Sequence, residues 1–289
     1  MSEFNFDIIV VRETMLAESY GAYLWNKHRG CEVGFTPSIT ELHELMLEEI
    51  KDKSILIVGG YYQSNMDPII KVAKEITVFY NSSDITQDVV SNYKCIRANE
   101  FTGFLTWTTK ILNIEDDHIL MISQYLDEYI YGYPSNDALC FQNGISVIDK
   151  DNNWDKMSTI TSMEDIRQIV IKGKENTITN KRIAYQRFGS SEEITFNIGD
   201  KSYSACVSIG DCPIVDTCLL LADQSSDGIG MLFRYDMKAR KTFISTRSTQ
   251  ESNINAGLLM KQLIGGGGSK SMGGGSISGL LFPEQVLSQ

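Results

Sequence analysis

The sequence predicts an α/β protein: a larger N-terminal domain on a parallel sheet, a helical connector, and a smaller α+β domain with a mixed sheet. Three observations carry this. Apolar, β-branched runs at 6–11, 54–59 and 75–80 alternate with stretches of helical period, the pattern of strands buried on both faces. A polar stretch of helical pattern follows at 158–187. From residue 193 the chain changes to short alternating runs separated by a single helix, which suits a smaller α+β domain with a mixed sheet. The expected divisions are 1–157, 158–190 and 191–289.

The elements follow in order. The first strand, 6–11, runs into 13–25, where Leu16, Tyr20, Tyr23 and Leu24 recur at helical spacing. A helix is expected over 36–49, opened by a capping box of Ser38 and Glu41. The strand 54–59 precedes a helix over 67–74 with Pro68 in its first turn, and 75–80 is the third strand. Helices are expected at 101–112 and 116–131. In the last domain strands are expected at 194–198, 203–207, 229–235 and 241–246, with helices at 214–223 and 253–263.

Composition narrows the function. The 289 residues are 42% hydrophobic and 22% charged, as in a soluble globular protein. No stretch approaches the roughly 18 apolar residues of a membrane span, and Met1 to Asp7 show no basic segment ahead of an apolar run; a cytoplasmic location is expected. A net charge of −11 without a local Lys/Arg block argues against coating of bulk nucleic acid. The cysteines Cys31, Cys95, Cys140, Cys206, Cys212 and Cys218 form no C-x-x-C pair, so buried thiols are expected rather than zinc. His28, His43 and His118 suggest no nucleophile–base pairing. Gly268, Ser269 and Lys270 invert the order of a phosphate-binding Gly-Lys-Ser, and no strand feeds them.

The segment 265–279 (GGGGSKSMGGGSISG) has two readings. Low complexity suggests a flexible linker. Only ten residues follow it, however, which favours a glycine loop packed into a site, where glycine permits positive φ and close backbone approach.

These C-terminal residues resemble the DHH-associated domain of DHH-family phosphoesterases, and the resemblance covers nearly the whole chain. Strand 241–248 (KTFISTRS) ends in Arg247 and Ser248, a helix follows, and then come Gly265, Gly266, Gly267 and Gly268, where the family has a glycine run followed by histidine. Ser269 stands at that histidine, with Lys270 next. The N-terminal half matches in layout and not in chemistry. Family enzymes cleave phosphodiesters or phosphoanhydrides with two cations, usually manganese, roughly 3.5–4 Å apart. Where the resemblance implies metal ligands, the aligned positions are about Arg12, Thr14 and Ala17 on the first strand. The second strand ends in Gly59 and Gly60, and the third in Tyr80, Asn81 and Ser82.

Asp127 lies near the family's fourth-motif aspartate; the alternative is a solvated or capping carboxylate. Glu13, Glu18 and Asp84 lie close to the lost positions and could rebuild a site. Arg12 either stands in for metal charge toward a phosphate or pairs with Glu13 or Glu18 at a solvent-facing edge. The resemblance thus implies no catalytic residue, no metal, no cofactor and no enzyme, but a binding or scaffold subunit with a protein partner or larger assembly. The implied ligand site is Arg247, Gly265, Gly266, Gly267, Gly268, Ser269 and Lys270, holding the phosphate of a nucleotide or short oligonucleotide. The alternative is a metal-dependent nuclease or phosphatase acting on short oligonucleotides through a rebuilt site.

Overall fold

The computed structural model describes residues 4–12, 15–36, 45–59, 67–80, 93–97, 103–131, 133–150 and 152–287. The chain divides into two compact units, the second beginning at Lys174 and including Tyr131–Tyr133.

The first unit carries β1 (Ile8–Arg12), α1 (Leu16–Arg29), β2 (Glu32–Thr36), α2 (Leu45–Ile50), β3 (Ser54–Val58), α3 (Asp67–Val72), β4 (Glu75–Tyr80) and β5 (Tyr93–Arg97). The five strands form one parallel sheet in the order β2-β1-β3-β4-β5. Its central strands are the apolar runs, because a parallel strand covered on both faces must bury every side chain. Along β1 Ile8 and Val10 face one way, joining Ile55, Ile57, Ile76 and Val78 under Ile50, Ile69 and Ile70 from the α2–α3 region.

An aromatic cluster forms around Phe79 of β4, which meets Phe104 and Trp107 of α4 (Phe104–Leu112) at ring distances of 5.3 and 5.5 Å. Trp25 of α1 joins it beside Phe6 and Trp107. A methyl group at Gly21 would overlap the Phe104 ring, so that glycine sets how closely α1 and α4 approach. Further helices complete the unit: α5 (Asp117–Tyr131), α6 (Asn136–Ser146) and α7 (Asn153–Ser158), with α8 (Met163–Phe188) running into the second unit.

The second unit adds β6 (Glu192–Ile198), β7 (Lys201–Ile209), α9 (Ile214–Gln224), β8 (Ile229–Asp236), β9 (Lys241–Ser248), α10 (Ala256–Ile264), β10 (Gly267–Gly268), β11 (Met272–Ser278) and α11 (Pro283–Leu287). Its six-stranded sheet has the order β10-β11-β9-β8-β7-β6. Only β7 and β8 are parallel, because α9 supplies the crossover between them. Phe196, Val207, Met231, Phe233 and Ile244 pack with Leu259, Met260 and Val286 of α10 and α11. On the other face the Cys218 thiol of α9 donates to the Ser245 carbonyl (3.4 Å).

The expected α/β class and both sheet types are present. Besides β10 and β11, five elements have no counterpart in the reading of the sequence: the strands β2 and β5, since EVGFT and YKCIR lack a buried apolar run, and the helices α6, α7 and α11. The helix expected over 36–49 is observed only as α2; its start, with Ser38 and Glu41, lies outside the described residues. The segment 265–279 is neither linker nor open loop: it turns back on itself as β10 and β11, because glycine strands can press main chain against main chain.

Candidate functional site

The sheet order of the first unit places a topological switch between β1 and β3, since successive connections leave that boundary in opposite directions. In open α/β sheets the crevice beyond the carboxyl ends of such strands is where ligands bind. The residues ending these strands here are Arg12 and Gly59.

Arg12 is about a third exposed, with side-chain accessibility of 31%, while Glu18 in the first turn of α1 keeps only 3%. The Glu18 carboxylate accepts from the Arg12 backbone N–H (2.9 Å) and from Nε (3.0 Å), and its Oε1 also pairs with Nη2. Such a fork holds the guanidinium in one orientation. Burial raises the Glu18 pKa, and the Arg12 hydrogen bonds and charge oppose the rise. Gly59, at φ +75°, packs against the pair; a Cβ there would fall 2.5 Å from Arg12 Nη2. Of the two expectations for Arg12, pairing with Glu18 holds, but not at a solvent-facing edge. Glu18 is buried, and the pair sits at the carboxyl ends of the interior strands β1 and β3.

Asp127 is buried in α5 and accepts from the backbone N–H groups of Leu105 (3.1 Å) and Thr106 (2.7 Å). It caps α4, whose own N-cap residue, Gly103, has no side chain to do so. Burial lifts its pKa to about 6 against those hydrogen bonds. The capping alternative therefore describes it. Glu13, Thr14, His43, Gly60, Asn81, Ser82 and Asp84 lie outside the described residues, as does the Cys95 side chain. Among the described residues no group of three His, Cys, Asp or Glu side chains could hold a metal. The thiols of Cys31, Cys140, Cys206, Cys212 and Cys218 are unbridged, and burial pushes that of Cys218 up to about 12.

In the second unit Arg247 is buried near the end of β9, in register with Gly230 and Met272. Its neighbours Thr246 and Ser248 bond toward α10 and the hairpin, to Met260 Sδ (3.0 Å) and the Lys270 carbonyl (3.0 Å). Strand alternation and the pull of the Arg247 charge on the Cys218 thiol place its guanidinium on the α9 side. Gly265 ends α10 at φ +67°. Gly266 and Gly268 press against Gly274 and Gly273, and Gly257 of α10 against the Gly268 carbonyl carbon (2.5 Å from a Cβ).

The Ser269 and Lys270 carbonyls accept from the Gly257 (2.8 Å) and Ala256 (2.9 Å) amides, and Asn255 Oδ1 from that of Leu258 (3.0 Å). The first three N–H groups of α10 are thus satisfied from within the fold. Ser269 is buried beside Ser271, whereas Gly267 and Lys270 are exposed. The structure therefore groups Gly265, Gly266, Gly267, Gly268, Ser269 and Lys270 in one hairpin and turns Arg247 to the other face of the sheet. Glu18 and Gly59 are the site residues that motif reading underrated; the signal was a carboxylate six positions after a strand-end arginine.

No family model matches the chain, and no curated protein does. Among solved structures it is similar to a pGpG-specific phosphodiesterase from Vibrio cholerae, at 11% identity and a TM-score of 0.47 over 94% of this chain and 93% of that one. It is also similar to an exopolyphosphatase-related protein from Bacteroides fragilis, at 11% and 0.49 over 95% and 88%. A third is CDC45 from Entamoeba histolytica, at 9% and 0.45 over 94% and 92%. One expectation is corrected by this. The chain was not expected to be an enzyme, yet the structures it is similar to include a phosphodiesterase. Positive charge at a phosphoryl group comes from guanidinium groups in some sites and from metals in others, so ligand types missing at strand ends are no ground for excluding enzymatic chemistry.

Proposed function

We propose that this protein binds the phosphate of a nucleotide or short oligonucleotide at the carboxyl ends of β1 and β3. One observation carries the reading: a guanidinium at the topological switch, fixed by a buried carboxylate and still about a third exposed. A fixed, partly exposed arginine presents donors to a phosphate at little cost in side-chain entropy. Within the second unit, the hairpin of Gly265, Gly266, Gly267, Gly268, Ser269 and Lys270 is proposed as a separate phosphate contact, and Arg247, on the other face of that sheet, is not part of it. The exposed Lys270 and the open face of Gly267 support this. Association with a protein partner or larger assembly belongs to the same proposal, and apolar side chains exposed on α8 support it.

The test is thermal unfolding with inorganic phosphate, AMP and a dinucleotide, each with and without Mn²⁺, followed by chromatography of the ligand. Ligand at about a hundred times its dissociation constant adds roughly 2.7 kcal/mol. Stabilisation that is lost in Arg12→Lys, which keeps the charge and loses the fork, is the expected result. Stabilisation lost only in Lys270→Gln moves the site to the hairpin. No stabilisation by any of the three ligands overturns the proposal. Product release that requires Mn²⁺ identifies the ligand as a substrate.

A further inference from the structure

The helix α8 carries two side-chain stripes that the phosphate site does not use. Ile171, Ile178 and Tyr185 are spaced by seven residues and exposed to 59%, 62% and 64%. Arg167, Lys174 and Lys181 are spaced by seven as well, each four residues before one of the apolar three. On a helix, positions seven apart drift by only about 20° and positions four apart are neighbours. The two stripes therefore run side by side for roughly 20 Å. Arg182 adds to the charge beside Ile178, while Arg167 pairs with Glu164 (3.5 Å) and Lys181 lies near Asp216; from 167 to 187 the only carboxylate is Glu175. The cations are dispersed in sequence and gathered by the helix, in a protein whose net charge is −11. Ile166, Ile169, Thr177 and Ala184 of the same helix are buried, so the stripes occupy its outward side.

We propose that this face of α8 docks an acidic amphipathic helix of a protein partner. The period of seven is the repeat with which one helix meets another, and the adjoining cations call for carboxylates beside the partner's apolar residues. A second copy of α8 would bring cations onto cations. A nucleic-acid backbone or an anionic membrane surface would answer the charge and leave the heptad spacing of the isoleucines without a counterpart. Three apolar side chains make a small contact, so the affinity expected is on the order of 10 μM.

The probe is a fluorescein-labelled synthetic helix of about 21 residues, enough for the length of the stripes, with leucines at heptad spacing and glutamates beside them. Its anisotropy is titrated with the full chain, against a scrambled peptide of the same composition, a thymidine oligonucleotide and phosphatidylserine vesicles. The expected result is saturable binding of the patterned peptide. Ile178→Ser with Tyr185→Ser, and separately Lys174→Glu with Arg182→Glu, should each weaken it by about tenfold or more. All four positions are exposed, and a circular dichroism spectrum like that of the parent checks folding. Equal binding of the scrambled peptide, or no saturable binding, overturns the proposal. So does tighter binding of the oligonucleotide or the vesicles that ignores Ile178 and Tyr185.

Discussion

Glycine does opposite work at the two candidate sites. Beyond β3, Gly59 leaves room for two charged side chains, and the Arg12–Glu18 pair fills it. In the hairpin of the second unit Gly266, Gly268 and Gly273 leave room for main chain, and backbone fills it. The first arrangement keeps a partly exposed cation at the carboxyl ends of β1 and β3. The second spends its polar groups internally, with carbonyls of the turn bonded to the N-terminal amides of α10. A glycine-rich segment is thus no sign of an anion cradle until the destinations of its N–H groups are known.

The contrast can be broken most strongly at Arg12. Arg12→Ala leaves the Glu18 carboxylate buried without its cation and should destabilise the protein by about 3–5 kcal/mol, read by urea unfolding. A loss under about 1 kcal/mol would mean that the pair is solvated and weak. In Arg12→Ala with Glu18→Gln much of the loss should return, because the stranded charge is gone.

Asp127 sharpens the electrostatic side. Its pKa rises on folding from 3.8 to about 6, so the folded state holds the proton more tightly. The contribution of this group to stability is complete below the unfolded value and is lost as pH climbs through 6. Relative to Asp127→Asn, the wild type should lose roughly 2 kcal/mol between pH 4 and 6.5. Parallel stability curves for the two proteins across that range would sink the assignment.

The hairpin is probed by two neighbouring glycines. Gly268, at φ +149°, faces Gly273 Cα at 2.7 Å from a Cβ, whereas Gly267 has nothing within 4 Å. Gly268→Ala should cost roughly 2–3 kcal/mol by overlap and backbone strain, and Gly267→Ala about 0.5 kcal/mol or less. Equal costs would show that the hairpin is looser than its packing implies. The smallest of the larger effects belongs to Asn255→Ala, which removes the side-chain cap of α10 and should cost about 1 kcal/mol.

Much of the fold could be read from local pattern. IIVVR, SILIV and EITVFY announce buried parallel strands, because burying both faces admits few other residue types. In the second unit the alternating runs announce β6, β7, β8 and β9 in the same way. The edge strands β2 and β5 escaped, since an edge position relaxes the demand for apolar residues. The helices α6 and α7 escaped because their apolar residues are few and their caps, Ser135 and Asn152, are ordinary in loops too.

What the sequence alone determined is the α/β class, the order of its two sheets and the placing of Arg12 at the end of the first strand. All of these follow from side-chain period and composition, which act over a few neighbouring residues. Tertiary structure decided the partners: Glu18 for Arg12, Asp127 over the amides of α4, Arg247 toward α9, and the turn carbonyls onto α10. Each joins groups brought together by packing, and the depth at which a charge is buried sets both its pKa and its availability to a ligand. That depth is a property of the assembled layers, which no local stretch of the chain contains.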